Sequence, residues 1–255
     1  MGSQPIPTDP RRHRQFMDEY LTEQHRRTIS QLADYGLSDL QLYRTENWYI
    51  GDDSEGTIRK YYKGNYRGET CFVKLAQNDS TIRNEIFVNH YVTSCDLPFV
   101  PRTLTSDKAF DTNTSLLVTQ FFADLRNFEI PTDEHLFERY CGEFIEIHKC
   151  FRQFQIVHCD ISATNLLIND KKQLVLIDFG IGKVPGSEIY EIDYRAHDGH
   201  YYVTKGNSRI YDDAYSFLRM LDKAGLPDAY REMGSYRHIQ QLVGTHQNKV
   251  LLSDR

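Results

Sequence analysis

The chain has 255 residues, 40% of them apolar, and a formal net charge of −6. That length supports one large domain or two small lobes with real cores, and the acidic balance argues against a nucleic-acid partner. No apolar run approaches a membrane span, and the start Met1-Gly2-Ser3-Gln4-Pro5-Ile6 has neither a secretory core nor the hydroxyl residue that myristoylation needs.

The five cysteines (Cys71, Cys95, Cys141, Cys150, Cys159) show no paired short spacing. Free thiols in a reducing compartment are therefore expected, and a zinc site is not.

Residues 1–11 are polar and contain proline, which predicts disorder. From Arg14 to Tyr35, Phe16, Tyr20, Leu21, Ile29, Leu32 and Ala33 recur at helical intervals, with Gly36 as the stop. Residues 1–40 read as an extension, partly disordered and then helical. Next, Gly51-Asp52-Asp53-Ser54-Glu55-Gly56 lies between Ile50 and Ile58, a loop that alone would pass for a plain hairpin. The alternating run Thr70 to Ala76 predicts a strand carrying Lys74, and Ser80 to Asn89 predicts a capped helix carrying Glu85. Ser115 to Ala123 reads as a buried strand. Behind Thr132 and Asp133, a helix runs to Phe154 with Leu136, Tyr140, Phe144, Ile147 and Phe151 on one face.

Then comes His158-Cys159-Asp160-Ile161-Ser162-Ala163-Thr164-Asn165. The apolar runs Leu166 to Ile168 and Leu174 to Ile177, joined by Asn169-Asp170-Lys171-Lys172, predict a short buried hairpin that leads into Asp178-Phe179-Gly180. Further on, Asp213-Ala214-Tyr215-Ser216-Phe217-Leu218 predicts another helix.

In this order the motifs resemble those of the protein kinase superfamily. The resemblance implies an α+β, bilobal, protein-kinase-like fold, with a small β-rich N-lobe over residues 41–123 and a trimmed helical C-lobe over 124–255. It implies ATP and Mg²⁺ as cofactors and a role for each motif. Asp160 would orient the attacking hydroxyl, while Asn165 and Asp178 would hold the metal. Lys74 would contact the α- and β-phosphates and be held by Glu85; Glu69 is an implausible competitor. Gly51, Asp53, Gly56 and Ile58 would cover the nucleotide. Thr119 would be the gatekeeper, and the backbone of Gln120 and Phe122 would meet adenine. His158 and Asp213 would brace the catalytic loop, with Asp212 as a neighbouring alternative.

Several positions depart from the pattern. Asp53 stands where the family has its second glycine, and a carboxylate there repels phosphate unless it turns outward. Cys159 replaces the arginine that pairs with a phosphorylated activation loop, so activity is expected not to depend on that modification. Ser162 replaces a lysine that contacts the γ-phosphate; Lys183 or Lys205 could supply the missing charge. Tyr190, Tyr194, Tyr201 and Tyr202 could be autophosphorylation sites or packing residues, and packing is the preferred reading for most.

The trimmed C-lobe is similar to the minimal kinases that some bacterial pathogens secrete into host cells, and to compact RIO-like and KEOPS-associated kinases. The function expected is an ATP- and Mg²⁺-dependent protein kinase acting on protein hydroxyls, serine or threonine rather than tyrosine, cytoplasmic or delivered into a host cytosol. Neither nucleic acid nor membrane is an expected partner. The alternatives are a small-molecule phosphotransferase and a catalytically impaired binding module.

Overall fold

The computed structural model describes residues 26–48, 57–77, 79, 81–111, 114–187, 202–205 and 208–251. Gly51, Asp53 and Gly56, with most of the N-terminal extension and Tyr190, Tyr194 and Tyr201, lie outside these residues.

A helix over residues 26–34 (α1) leads into a 5-stranded sheet of order β1-β2-β3-β5-β4, made of β1 (Leu37–Trp48), β2 (Thr57–Tyr66), β3 (Glu69–Gln77), β4 (Thr103–Asp111) and β5 (Thr114–Gln120). Every neighbouring pair is antiparallel. The β2–β3 hairpin turns on Arg67 (φ 52°) and Gly68 (φ 86°), the pair of positive φ values that a tight primed turn requires. Alternation along β3 then gives the sheet two apolar faces. Cys71, Val73 and Leu75 face Leu32 of α1 along with Tyr62, Leu116 and Val118. Ala76 and Leu117 face Ile82 and Ile86 of the helix Thr81–Ser94 (α2). The extension thus covers one side of the sheet, and α2 covers the other.

The second lobe is built on α3 (Glu134–Phe154), capped by Asp133, whose side chain accepts from the N–H groups of His135 and Leu136. The buried face of α3 presents Phe137, Tyr140, Cys141, Phe144, Ile145, Ile147, His148 and Phe151. Phe144 stacks on Phe217 of α4 (Asp213–Lys223) at 4.0 Å between ring centroids. Each such ring contributes about 1.5–3 kcal/mol on burial. Helices α5 (Asp228–Arg231) and α6 (Gly234–Leu242) close the same core through Tyr230, Tyr236 and Ile239.

Two small sheets complete the fold. One has the order β6-β7-β8, from Arg126–Asn127, Leu166–Ile168 and Leu174–Leu176; β7 and β8 are the hairpin read from the sequence. The other has the order β11-β10-β9, from β9 (Tyr202–Lys205), β10 (Ser208–Asp212) and β11 (Gln247–Leu251). Nothing in the sequence reading anticipated this second sheet. The architecture is α+β, with the two lobes that the resemblance implies. Among the described residues no helix is long and apolar enough to cross a membrane.

Candidate active site

The lower side of the cleft grows out of the β7–β8 hairpin. Asn165, just before β7, donates from Nδ2 to Asp160 Oδ2 at 2.8 Å and to the Asp160 carbonyl at 3.1 Å. Leucine and isoleucine side chains hold both strands in the core, so Asn165 and Asp178 are carried at one edge. His158 accepts from the Asp160 N–H at Nδ1 (3.2 Å) and donates from Nε2 to the Ile177 carbonyl (2.9 Å), which assigns the neutral Nε2–H tautomer. Asp213 accepts from the N–H groups of His158 (2.8 Å) and Cys159 (3.0 Å). Burial raises the Asp213 pKa against these bonds.

The neighbouring aspartates divide two tasks. Asp213 binds the loop of Asp160, whereas Asp212 caps α4 at the Tyr215 N–H and takes bonds from the Gly244 N–H (2.6 Å) and the Gln247 side chain (3.0 Å). Cys159 is 2% exposed and sits at φ 66°, a left-handed conformation that a non-glycine residue adopts only when its surroundings hold it there.

The upper side is charged. Lys74 is 4% exposed and forms an ion pair with Glu85, which is 5% exposed. Its Nζ also lies 3.7 Å from Asp178 Oδ1. Burial works against the ammonium, but Asp178 and Glu85 outweigh it and hold its pKa above the usual value. Asp178 shifts down, chiefly because of Lys74 and against the effect of burial, so it remains a carboxylate at neutral pH. Glu69 is occupied elsewhere, pairing with Arg102 at 3.0 Å on exposed surface. Phe179 is 0% exposed and packs beside His158, with ring centroids 4.5 Å apart. The Asp-Phe-Gly turn therefore sends its acid into the cleft and its ring into the core.

At the far end of the cleft, Thr119 lies opposite Phe72 on the sheet, and Gln120 opposite Cys71. Gln120 gives its N–H to the Arg102 carbonyl at 2.8 Å. Phe122 follows β5 and is half-buried. Ile58 pairs with Gln77 in the β2–β3 register. Lys183 is joined through its backbone to Val157, at 2.7 and 2.8 Å.

Four contributors were missed by the sequence reading. Tyr61 lies opposite Lys74 on β2, stacks on Phe72 at 5.8 Å, and has its ring centre 5.9 Å from Lys74 Nζ. Arg59, two residues earlier on the same face, pairs with Asp79 at 2.5 Å. Asn84, 2% exposed on α2, donates to the carbonyls of Gly180 and Gly182, each at 3.0 Å. The signal for Arg59 and Tyr61 was the Arg67-Gly68 turn, from which their register with Lys74 can be counted. Asn84 gave no such signal, since an asparagine on an amphipathic helix reads as solvated.

Residues 120–190 match the family model described as the ABC1 atypical kinase-like domain. The chain is kinase-like. The matched span, under a third of the chain, runs from the end of β5 through α3, Asp160 and Asn165 to just beyond Asp178. No curated protein matches the chain significantly.

Among the described residues no group of three or more His, Cys, Asp or Glu gathers in a metal-holding arrangement. The kinase-like cleft offers instead one amide oxygen and one carboxylate. Hard oxygen donors in that small number fit Mg²⁺ carried in on a phosphate chain.

Proposed function

We propose that this kinase-like protein is an ATP- and Mg²⁺-dependent phosphotransferase acting on hydroxyl groups of proteins, serine or threonine rather than tyrosine. The observation that carries this reading is Lys74 held between Glu85 and Asp178, across a cleft from the hydrogen-bonded Asp160–Asn165 pair.

Asn165 and Asp178 would hold Mg²⁺, and the Gln120 carbonyl and Lys74 would hold the base and the phosphates. Bound Mg²⁺·ATP supplies the transferable phosphoryl group and neutralises its negative charge. Asp160 is fixed at Oδ2 by Asn165, so its carboxylate is oriented before an acceptor arrives. It accepts a hydrogen bond from the acceptor hydroxyl and takes up the proton that the hydroxyl loses. Cys159 supplies no cation: its backbone N–H is committed to Asp213, and its thiol reaches the Val157 carbonyl at 3.6 Å. Activation-loop phosphate therefore has no partner at that position, and phosphatase-treated protein is expected to keep its activity.

A small-molecule acceptor is the second reading. It is favoured by β10, whose backbone pairs with β9 on one side and β11 on the other, leaving that strand no edge for an extended peptide. Incubation of the full chain with γ-labelled ATP, a lysate and, separately, a metabolite panel tests both. Label on lysate proteins supports the leading reading, and label on metabolites supports the second. No transfer to either, from protein that still binds ATP, overturns both in favour of a binding module.

A further inference from the structure

The sheet face above the cleft carries a row of rings. Alternation along β3 sends Cys71 and Val73 towards Leu32 of α1, so Phe72 and Lys74 share the opposite face. On β2, Tyr61 stands opposite Lys74 and stacks on Phe72, with centroids 5.8 Å and planes 27° apart. Tyr43 of β1, 73% exposed, approaches the same ring at 6.5 Å and nearly at right angles. Both tyrosines come from one side of β3, because the strand order is β1-β2-β3-β5-β4. On the other side, β5 sets Thr119 opposite Phe72, a short side chain in place of a third ring. Phe72 itself is only half-buried. Aromatic surface left at the wall of a cleft, beside a few polar groups, is the usual lining of a small-molecule site.

The ring is also at the right distance from the charges. Phe72 is two residues from Lys74, about 7 Å along the strand. With a phosphate at Lys74 and a base at Phe72, that interval falls to the sugar. Polar readout of the base is limited at this end of the cleft. The Gln120 N–H is committed to the Arg102 carbonyl at 2.8 Å, and the Phe121 N–H to the Thr70 carbonyl at 3.3 Å. Donors used inside the sheet do not read the edge of a base. A carbonyl such as that of Gln120 accepts from an amino group, which adenine and guanine both carry. Stacking is equally tolerant, because every base has a π-face.

Building on the phosphotransferase reading, we propose that Phe72, with Tyr61 and Tyr43 behind it, is the stacking surface for the nucleotide base, and that the cleft takes adenosine and guanosine triphosphates alike. The competing roles are a ring that only stiffens the sheet and a plug that fills the room of a base.

Titration calorimetry of the full chain with Mg²⁺·ATP, Mg²⁺·GTP and Mg²⁺·tripolyphosphate, which has no base, distinguishes them. The variants are Phe72→Leu, apolar but without a π-face, and Phe72→Tyr, each checked for its unfolding temperature. Phe72→Leu is expected to weaken both nucleotides about tenfold and leave tripolyphosphate unchanged. Phe72→Tyr should retain both affinities, and the wild type should bind ATP and GTP within about tenfold of each other. Nucleotide affinity unchanged in Phe72→Leu overturns the proposal in favour of the stiffening ring, and affinity that rises overturns it in favour of the plug. Tripolyphosphate weakened as much as the nucleotides, or Phe72→Tyr as weak as Phe72→Leu, also overturns it. If Phe72→Leu fails to fold, a wild-type preference between ATP and GTP greater than tenfold has the same force. Wild-type protein that binds neither nucleotide overturns the phosphotransferase reading as well; tight wild-type binding with an indifferent Phe72 overturns this inference alone.

Discussion

The lower side of the cleft is positioned by hydrogen bonds that run largely to the backbone, whereas the upper side is positioned by buried charges. Below, Asp213 holds two successive N–H groups, His158 bridges the Asp160 N–H and the Ile177 carbonyl, and Asn165 bonds Asp160. Above, Lys74 depends on Glu85 and Asp178, and Arg59 on Asp79. Hydrogen bonds of the first kind fix geometry with little sensitivity to which ligand is present. Buried ion pairs of the second kind leave an uncompensated charge when either partner is removed or moves. The difference teaches where stability and catalysis should separate: Asp160, which braces no buried donor of the fold, can be altered chemically with modest structural cost, and the buried ion pairs of the upper side cannot.

Lys74→Met should show the largest effect. It strands Glu85 and Asp178, at a cost of about 3–5 kcal/mol in denaturant unfolding, and removes nucleotide binding. The double variant Lys74→Met/Glu85→Leu should recover much of the stability and none of the binding, which separates the two roles. Asp160→Ala comes next. Phosphoryl transfer should fall by about 10²–10⁴-fold with ATP affinity little changed; a parallel loss of stability would break the contrast between the two sides. Asp213→Ala leaves two buried N–H donors unsatisfied and should cost about 2–4 kcal/mol, measured by chemical denaturation.

Asn84→Ala is a smaller perturbation of about 1–2 kcal/mol, since two carbonyls lose one shared donor. It should speed amide hydrogen exchange around Gly180–Gly182 before it lowers the melting temperature.

A separate effect concerns pH. Burial, with His246 adding to it and Asp212 opposing, lowers the pKa of His148 from 6.5 to about 4. A base that is harder to protonate in the folded state keeps its full contribution above its unfolded pKa. Stability should therefore be lost as pH falls from 6.5 towards 4, by at most one proton's dependence. His148→Gln should flatten that slope in a melting-temperature series.

How much of this could be read beforehand differs by region. The β7–β8 hairpin, α3 and the two ends of the catalytic loop were legible because local pattern and function coincide there: apolar strands and an amphipathic helix place polar residues at their edges. The strand of Lys74 and the helix of Glu85 were legible as elements, and their pairing rested on the resemblance. What escaped depends on register and on contacts across many residues. Arg59 and Tyr61 join the cleft only once the β2–β3 register is counted from Arg67-Gly68. Asn84 acts on carbonyls of Gly180 and Gly182, distant in sequence, and the pairing of β11 with β10 joins segments separated by three helices. No local propensity encodes such partners. Two neighbouring aspartates, Asp212 and Asp213, are indistinguishable by composition, and only their surroundings assign one to α4 and the other to the catalytic loop.

Gly182 sits so close to α2 that a Cβ there would lie 3.3 Å from Val88 Cγ1 and 3.2 Å from the Phe179 carbonyl. Asn84 clasps the turn on either side of Ile181. The two acidic companions of Lys74 therefore stand on segments that touch each other directly: Glu85 on α2, and Asp178 two residues before the Gly180 carbonyl that Asn84 holds.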